Sequence, residues 1–146
     1  MFWSDWGSKP RIERAGMDGS RRETILQDSL HWPNGITLDL LLNKIYWIDA
    51  KLNLIGSAEL DGTGSRVVLL DSGRLKHPFS VTVFEDLVYW SDWHTHAIYQ
   101  ADKFNGSGAT PVTATNMVSV IEYIYTNVEN SCTSNPTRTP CTPCTE

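Results

Sequence analysis

Three aspartates recur at nearly equal spacing and are the first residues to consider for chemistry. Asp5, Asp49 and Asp92 each end a four-residue aromatic-Trp-Ser/Ile-Asp motif, at intervals of 44 and 43 residues. A carboxylate is able to act as a general acid or base, or as a metal ligand. An active site is normally built once, whereas a brace is needed in every unit of a repeat. We therefore expect these carboxylates to accept hydrogen bonds from neighbouring backbone N–H groups.

Histidines and cysteines offer two further candidate metal sites, and both are incomplete. His94 and His96 lie two residues apart, which on a strand would place both side chains on one face, but the sequence brings no third ligand near them. Cys141 and Cys144 have the spacing of half a zinc site without a second pair, and Cys132 makes the cysteine count odd. We predict no catalytic, cofactor or metal site.

Composition and charge exclude several classes of partner. The 146 residues are 40% hydrophobic and carry a net charge of −5, without the clustered Lys and Arg that bind nucleic acid. No apolar run approaches the roughly 20 residues that span a bilayer, so we expect no direct membrane insertion. The N-terminus lacks the basic and apolar regions of a signal peptide. Because Met1 begins directly in a strand motif, we expect the sequence to be an excised or truncated piece.

The motif is the first of four short strands that alternation of apolar and polar residues predicts in each repeat. A glycine turn between the second and third strands suits a positive φ, and it recurs at Asp18-Gly19, Asp61-Gly62 and Asn105-Gly106. The second strand is predicted at 11–15, 54–58 and 97–101, the third at 24–26, 67–70 and 111–113, and the fourth at 36–40 and 81–84.

Four short antiparallel strands per roughly 43 residues are typical of a β-propeller blade. The predicted fold class is therefore all-β, a partial β-propeller of about three four-stranded antiparallel blades with very little helix. The three repeats fill residues 1–126, at about 1–44, 45–88 and 89–126, where 117–125 is apolar enough for a last strand. Residues 127–146 are rich in Thr, Pro and Cys and are predicted to be irregular.

Tryptophans in and after the motif are assigned different roles. Trp3, Trp47 and Trp90 are predicted to lie in the core between blades. Trp6 and Trp93 follow the motif aspartate, where the strand ends in a loop. Exposed aromatics on a propeller rim are natural anchors for a protein partner, although a tryptophan lying on its own blade explains the pattern equally well.

Asn105-Gly106-Ser107 is a glycosylation sequon on one of the glycine turns. Such three-residue matches also arise by chance. The sequence predicts a glycan at Asn105 if the chain enters the secretory pathway.

Several segments resemble the YWTD, or class B, repeats of the low-density lipoprotein receptor family. They are Met1 to Gly7, Trp32 to Leu40, His77 to Ser80 and Val83 to Asp86, and the likeness covers about residues 1–125. The resemblance implies a six-bladed propeller flanked by growth-factor-like modules, of which three blades are present here. It also implies a non-catalytic extracellular portion of a cell-surface or endosomal receptor, which binds ligand and helps to discharge it in acidic endosomes.

The resemblance implies a role for His77 and raises a question about the tail. The family histidine at the Pro-Phe-Ser motif belongs to a cluster implicated in pH-dependent release, but its second histidine would fall at Asn53, so the switch is partial. The alternative is that His77 is simply a polar residue before a strand. Cys132 stands where a growth-factor-like module would begin, yet the cysteine spacing does not match, which leaves a degenerate module or a foreign, mis-spliced or frame-shifted tail.

Three functions from different classes remain open at this point. The first is a receptor segment whose partner is a protein ligand or a neighbouring receptor module. The second is a hydrolase with a metal in the central channel, which would need carboxylate, Asn or His ligands from several blades. The third is a half-propeller that self-associates through its open blade edges, because unpaired strand edges and apolar faces favour association.

Overall fold

The computed structural model describes residues 1–112, and regular structure in this part of the chain is entirely β. The all-β prediction is confirmed. No helix in the described part is long and apolar enough to cross a membrane. Residues 1–112 contain eleven strands: β1 Phe2–Asp5, β2 Arg11–Arg14, β3 Glu23–Leu26, β4 Pro33–Asp39, β5 Lys44–Asp49, β6 Leu54–Glu59, β7 Arg66–Leu70, β8 Pro78–Phe84, β9 Leu87–Asp92, β10 Ala97–Asp102 and β11 Thr110–Pro111.

The strands form three antiparallel sheets in which neighbours along the chain pair with each other. The first sheet contains β1 to β3, the second β4 to β7 and the third β8 to β11. Within residues 1–112 the first sheet thus has three strands and the other two have four. The predicted strand at 117–125, the tail 127–146 and its cysteines lie outside the described residues.

The sheets are offset by one strand from the sequence repeats of 1–44 and 45–88. The fourth strand of each repeat pairs with the motif strand of the following repeat, β4 with β5 and β8 with β9. Each of these two repeats therefore contributes strands to two sheets. Hydrogen bonds decide this grouping, and the sequence period contains no information about which strand receives them.

Two hydrophobic clusters fill the spaces between the sheets. One combines Ile12 and Leu26 of the first sheet with Ile45 and Trp47 of β5, and the other combines Tyr46 and Ile48 of β5 with Val81, Val88 and Trp90 of the third sheet. Successive side chains of a strand point to opposite faces. Strand β5 is consequently buried on both faces, which explains why its apolar residues run without interruption.

The glycine turns adopt the predicted backbone conformation, with φ of 81° at Gly19, 87° at Gly62 and 70° at Gly106. Two of them also lie against the preceding sheet. A Cβ on Gly62 would be 1.9 Å from the carbonyl oxygen of Ile25, and a Cβ on Gly106 would be 2.5 Å from that of Val68. These glycines are required by close approach of backbone as well as by φ.

Candidate functional site

Asp49 holds together the two loops that meet at the end of β5. Its Oδ2 accepts hydrogen bonds from the backbone N–H groups of His31 (2.7 Å) and Trp32 (3.1 Å), just before β4. Its Oδ1 accepts from the N–H groups of Lys51 and Leu52, both at 3.0 Å, just after β5. The carboxylate is fully buried and is occupied by four backbone donors.

Asp92 repeats this arrangement in the third sheet. Its Oδ2 accepts from the backbone N–H of His77 at 2.7 Å, and its Oδ1 accepts from the N–H and hydroxyl of Thr95. Burial alone would raise the pKa of Asp92, but the hydrogen bonds from Thr95 and His77 outweigh it and lower the pKa below its ordinary value. Asp5 is more exposed; it accepts from the N–H of Gly7 and forms an ion pair with Arg11 at 2.9 Å.

The loops that these aspartates hold carry an aromatic pocket of about 330 Å³. Trp6 and Trp93, two of its walls, are 64% and 59% exposed. The structure therefore brings together the two tryptophans and His77, which the sequence singled out separately. The pocket is lined by Trp6, Trp32, Asn34, His77, Phe79 and Trp93.

Ring stacking organises one wall of this aromatic pocket. The ring of Trp93 is parallel to that of Phe79, with centroids 4.6 Å apart, and is also stacked with the His77 ring at 5.8 Å. In the middle sheet Ala50 takes the place of Trp93, and Trp32 takes the place of His77. The Trp32 ring lies 5.3 Å from the ammonium group of Lys51, within cation–π range.

Close contact between β4 and β8 assembles the pocket. A Cβ on Gly35 would be 2.9 Å from the carbonyl oxygen of Phe79 and 3.1 Å from the Cα of Ser80, so only glycine lets the two backbones approach this closely. Asn34 Nδ2 also donates to the carbonyl oxygen of Pro78 at 3.0 Å. The pocket thus lies over the strands at which the second and third sheets meet, away from the outer strands β7 and β11.

The motif tryptophans each face a different cross-strand neighbour. Trp47 lies over Gly56, where a Cβ would be 2.2 Å from the indole ring. Trp90 stacks on Tyr99 with centroids 5.4 Å apart. Trp47 and Trp90 are buried between sheets, as a core role requires.

Trp3 is only half-buried, and its Nε1 donates to Glu13 at 3.2 Å. Glu13 also accepts from Arg22 and pairs with Arg11, and the hydrogen bond from Arg22 is the main reason that the pKa of Glu13 falls to about 2. In the first sheet the polar cluster around Glu13 therefore stands opposite the motif tryptophan, where the second sheet has Gly56 and the third has Tyr99.

The remaining candidates lie apart from the pocket. His94 and His96 are exposed in the turn between β9 and β10 and not on a strand, so strand alternation does not bring them to one face. Residues 1–112 contain no group of three or more His, Cys, Asp or Glu side chains able to hold a metal ion. Asn53 has a φ of 55° and donates from Nδ2 to the carbonyl oxygen of Leu75. Asn105 is exposed on its turn.

Sequence reasoning did not select Trp32 and Phe79 as site residues. Both stand next to the prolines that open β4 and β8, where the sequence pattern indicates only the entrance to a strand. The signal that could have found them is the alignment of the two strand entrances on their prolines, which makes Trp32 equivalent to His77 and Phe79 equivalent to Asn34, next to loops held by Asp49 and Asp92.

A family model for the low-density lipoprotein receptor repeat class B matches residues 1–40, 43–85 and 86–112. The chain belongs to this family. The predicted resemblance is thereby confirmed over most of the chain.

Three relatives of this class B chain are receptors or receptor-related proteins by name. The vitellogenin receptor Yl of Drosophila melanogaster is 53% identical over 106 residues, which cover 73% of this chain and 5% of that protein. The vitellogenin receptor of Solenopsis invicta is 38% identical over 97% of this chain and 8% of that protein. The human low-density lipoprotein receptor-related protein 5-like protein is 39% identical over 70% of this chain and 40% of its own length. The chain spans less than half the length of each.

A solved structure supports the same architecture for the class B repeats. A chain in the crystal structure of a nidogen/laminin complex superposes with a TM-score of 0.64 and 31% identity, covering 70% of this chain and 38% of that chain. Together with the three antiparallel sheets, this match confirms the partial β-propeller.

Proposed function

We propose that this chain is a non-catalytic, ligand-binding segment of the extracellular portion of a cell-surface or endosomal receptor. The names of the vitellogenin receptor and receptor-related relatives support a receptor-type role. The structural match to a chain from a nidogen/laminin complex supports a protein as the partner. The partner is a protein ligand or a neighbouring receptor module.

The observation that carries this proposal is the convergence of exposed aromatic side chains on the pocket. Trp6, Trp32, Phe79 and Trp93 are between 43% and 64% exposed, although large aromatic side chains gain most from burial. Solvent-exposed aromatics grouped in one pocket are the residues that dominate binding energy at protein interfaces. Trp93 is held by stacking on Phe79, so it loses little conformational freedom when a partner covers it.

Binding is favoured over catalysis by the state of the repeated carboxylates. Asp49 and Asp92 are buried and already occupied by backbone donors, so neither is free to act on a substrate or to bind a metal. A channel-site hydrolase would need convergent oxygen ligands elsewhere. Calcium titration of the chain followed by calorimetry tests that alternative, which requires stoichiometric binding.

The pocket is tested by selecting random peptides on the immobilised wild-type chain and then measuring their dissociation constants for variants. We expect Trp93→Ala and Trp6→Ala each to weaken binding by about 10-fold or more, as truncation of a hot-spot residue does. Met17→Ala is the matched control, since Met17 is 85% exposed and lies outside the pocket. Peptides that bind all four proteins equally would refute the pocket as the binding surface.

We further propose that His77 makes the pocket sensitive to pH. Histidine is the side chain that gains charge between neutral and mildly acidic conditions. His77 is the one ionisable residue among the six that line the pocket. The Lys51 ammonium lies 5.3 Å from the ring of the lining residue Trp32, and the Asp92 carboxylate accepts a hydrogen bond from the His77 backbone N–H. Protonation would attract an acidic segment of the receptor, which would then compete with the ligand.

Competition of this kind predicts that the affinity for an acidic peptide depends on pH through the imidazole ring of His77. An acidic peptide should bind the wild-type chain more tightly at about pH 5.5 than at about pH 7.5, and His77→Gln should abolish the difference. A difference of the same size in His77→Gln would assign the effect to other groups. Lys51→Gln serves as the control for a fixed positive charge, since the Lys51 ammonium lies beside the pocket residue Trp32.

Self-association through open blade edges stays a prediction. Sedimentation equilibrium of the chain over a range of concentrations decides it, because a monomer at every concentration contradicts pairing.

A further inference from the structure

The turns that join β2 to β3, β6 to β7 and β10 to β11 share the same side-chain hydrogen bond. In each turn a side-chain oxygen accepts from the backbone N–H two residues later, which is an Asx turn. The acceptor residue is a carboxylate in the first two turns and a carboxamide in the third. The bonds join Ser20 N to Asp18 Oδ1 (3.0 Å), Thr63 N to Asp61 Oδ1 (2.9 Å) and Ser107 N to Asn105 Oδ1 (2.8 Å).

The Asx turn fixes which way the Asn105 carboxamide points. A backbone N–H can only donate, so the atom that faces Ser107 N must be the oxygen, and Nδ2 is directed away from the turn. Within residues 1–112, Asn105 Nδ2 donates no hydrogen bond, and both Asn105 and Ser107 are exposed. Gly106 between them is held at a φ of 70° by its own N–H bond to Asp102.

Strand register places this turn far from the aromatic pocket. In the antiparallel pair β9 and β10, Ala97 lies opposite Asp92 and Asp102 lies opposite Leu87. Trp93 follows one end of this pair and Asn105 follows the other, and six residues at about 3.4 Å each separate the two ends by roughly 20 Å. A large group on Asn105 would leave the pocket uncovered.

We propose that Asn105 is an N-glycosylation site of this chain, at the end of the β9–β10 pair opposite the pocket. The inference rests on the extracellular location in the proposed function. The co-reactant is a lipid-diphosphate-linked oligosaccharide, which the transferase of the secretory pathway uses as donor. The Asn105 Nδ2 forms a bond to the anomeric carbon, the bond from that carbon to the diphosphate oxygen breaks, the lipid diphosphate leaves with the electron pair, and the amide releases one proton.

The test supplies the chain with a leader and counts glycans directly. Its result therefore does not depend on whether the pocket binds a ligand. The full chain is produced in a eukaryotic secretory cell behind a cleavable leader and a tag that contains one reporter sequon. Glycans are counted by mass before and after peptide N-glycosidase digestion in ¹⁸O water. The heavy isotope distinguishes enzymatic release from spontaneous deamidation of the Asn-Gly sequence.

We expect two glycans on the wild-type chain and one on Asn105→Gln and on Ser107→Ala. Asp61→Asn is the matched positive control, because it places Asn-Gly-Thr in the equivalent exposed turn and should carry three. A wild-type chain that carries only the reporter glycan overturns the proposal. The readout does not require folding, since the glycan is also counted on protein retained in the cell.

Discussion

A buried ion pair between Asp39 and Lys103 connects the second and third sheets, and breaking it should be strongly destabilising. The Lys103 ammonium lies 2.8 Å from Asp39 Oδ2, and the two side chains are only 7% and 6% exposed. Lys103→Met would leave a buried carboxylate without its counter-charge, for which the expected loss is about 3–5 kcal/mol. That is a large part of the roughly 5–15 kcal/mol that stabilises a domain.

Urea unfolding followed by tryptophan fluorescence measures this loss, because Trp90 is buried in the cluster between the same two sheets. Arg74→Met is the matched control: its ion pair with Asp71 has the same 2.8 Å distance, but Arg74 is 47% exposed, so about 1 kcal/mol or less is expected. Adding Asp39→Leu to Lys103→Met should recover much of the stability. A Lys103→Met variant within about 1 kcal/mol of wild type would refute the argument.

The ion pair also predicts how the loss of stability in Lys103→Met depends on pH. Burial would raise the pKa of Asp39, but hydrogen bonds from Lys103 and from the N–H of Leu42 lower it overall. A folded-state pKa below the unfolded value adds stability above the unfolded pKa of about 3.9, and this stability is lost as pH falls through the folded pKa. Without Lys103 the Asp39 pKa should rise, so the difference between wild type and Lys103→Met should shrink in acid. A difference that grows in acid would contradict this sign.

Two further predictions concern the loops that form the pocket. Gly35→Ala should lower the free energy of unfolding by about 1–3 kcal/mol and weaken peptide binding, because the added Cβ would meet the backbone of β8. The control Gly73→Ala, at an exposed position, should be nearly neutral, and equal unfolding midpoints in urea for the two variants would contradict the close approach. Asp49→Asn should lower the free energy of unfolding by about 2 kcal/mol or more, since the amide NH₂ would face backbone N–H donors. Asp5→Asn should have a smaller effect, because that side chain is 39% exposed, and equal shifts in melting temperature would contradict the argument.

Local pattern predicted the strands well because each strand is encoded by its own residues. Alternation placed β6 at 54–58, against Leu54–Glu59 in the structure, and Asp-Gly or Asn-Gly dipeptides placed the positive-φ turns. The pairing of β4 with β5 could not be predicted in the same way. A repeat of 43 residues is equally consistent with a sheet that begins at the motif and with one that begins a strand earlier.

Residues of the pocket were predicted only in part, for a related reason. Trp6 and Trp93 stood out because each follows a motif aspartate, and His77 stood out by resemblance. Trp32 and Phe79 come from the starts of two different strands, and they meet only because Gly35 allows β4 and β8 to touch. Such a contact depends on the distance between the backbones of two strands in the folded protein, which a local sequence pattern does not contain.

By itself, the sequence determined the class B repeat, the all-β fold and the strand and turn positions, since these follow from local periodicity and motif spacing. The tertiary structure decided which strands share a sheet, that Asp49 and Asp92 are occupied by backbone donors, and that four exposed aromatic rings form one pocket. These depend on distances between residues far apart in the chain. Close packing of the sheets sets those distances.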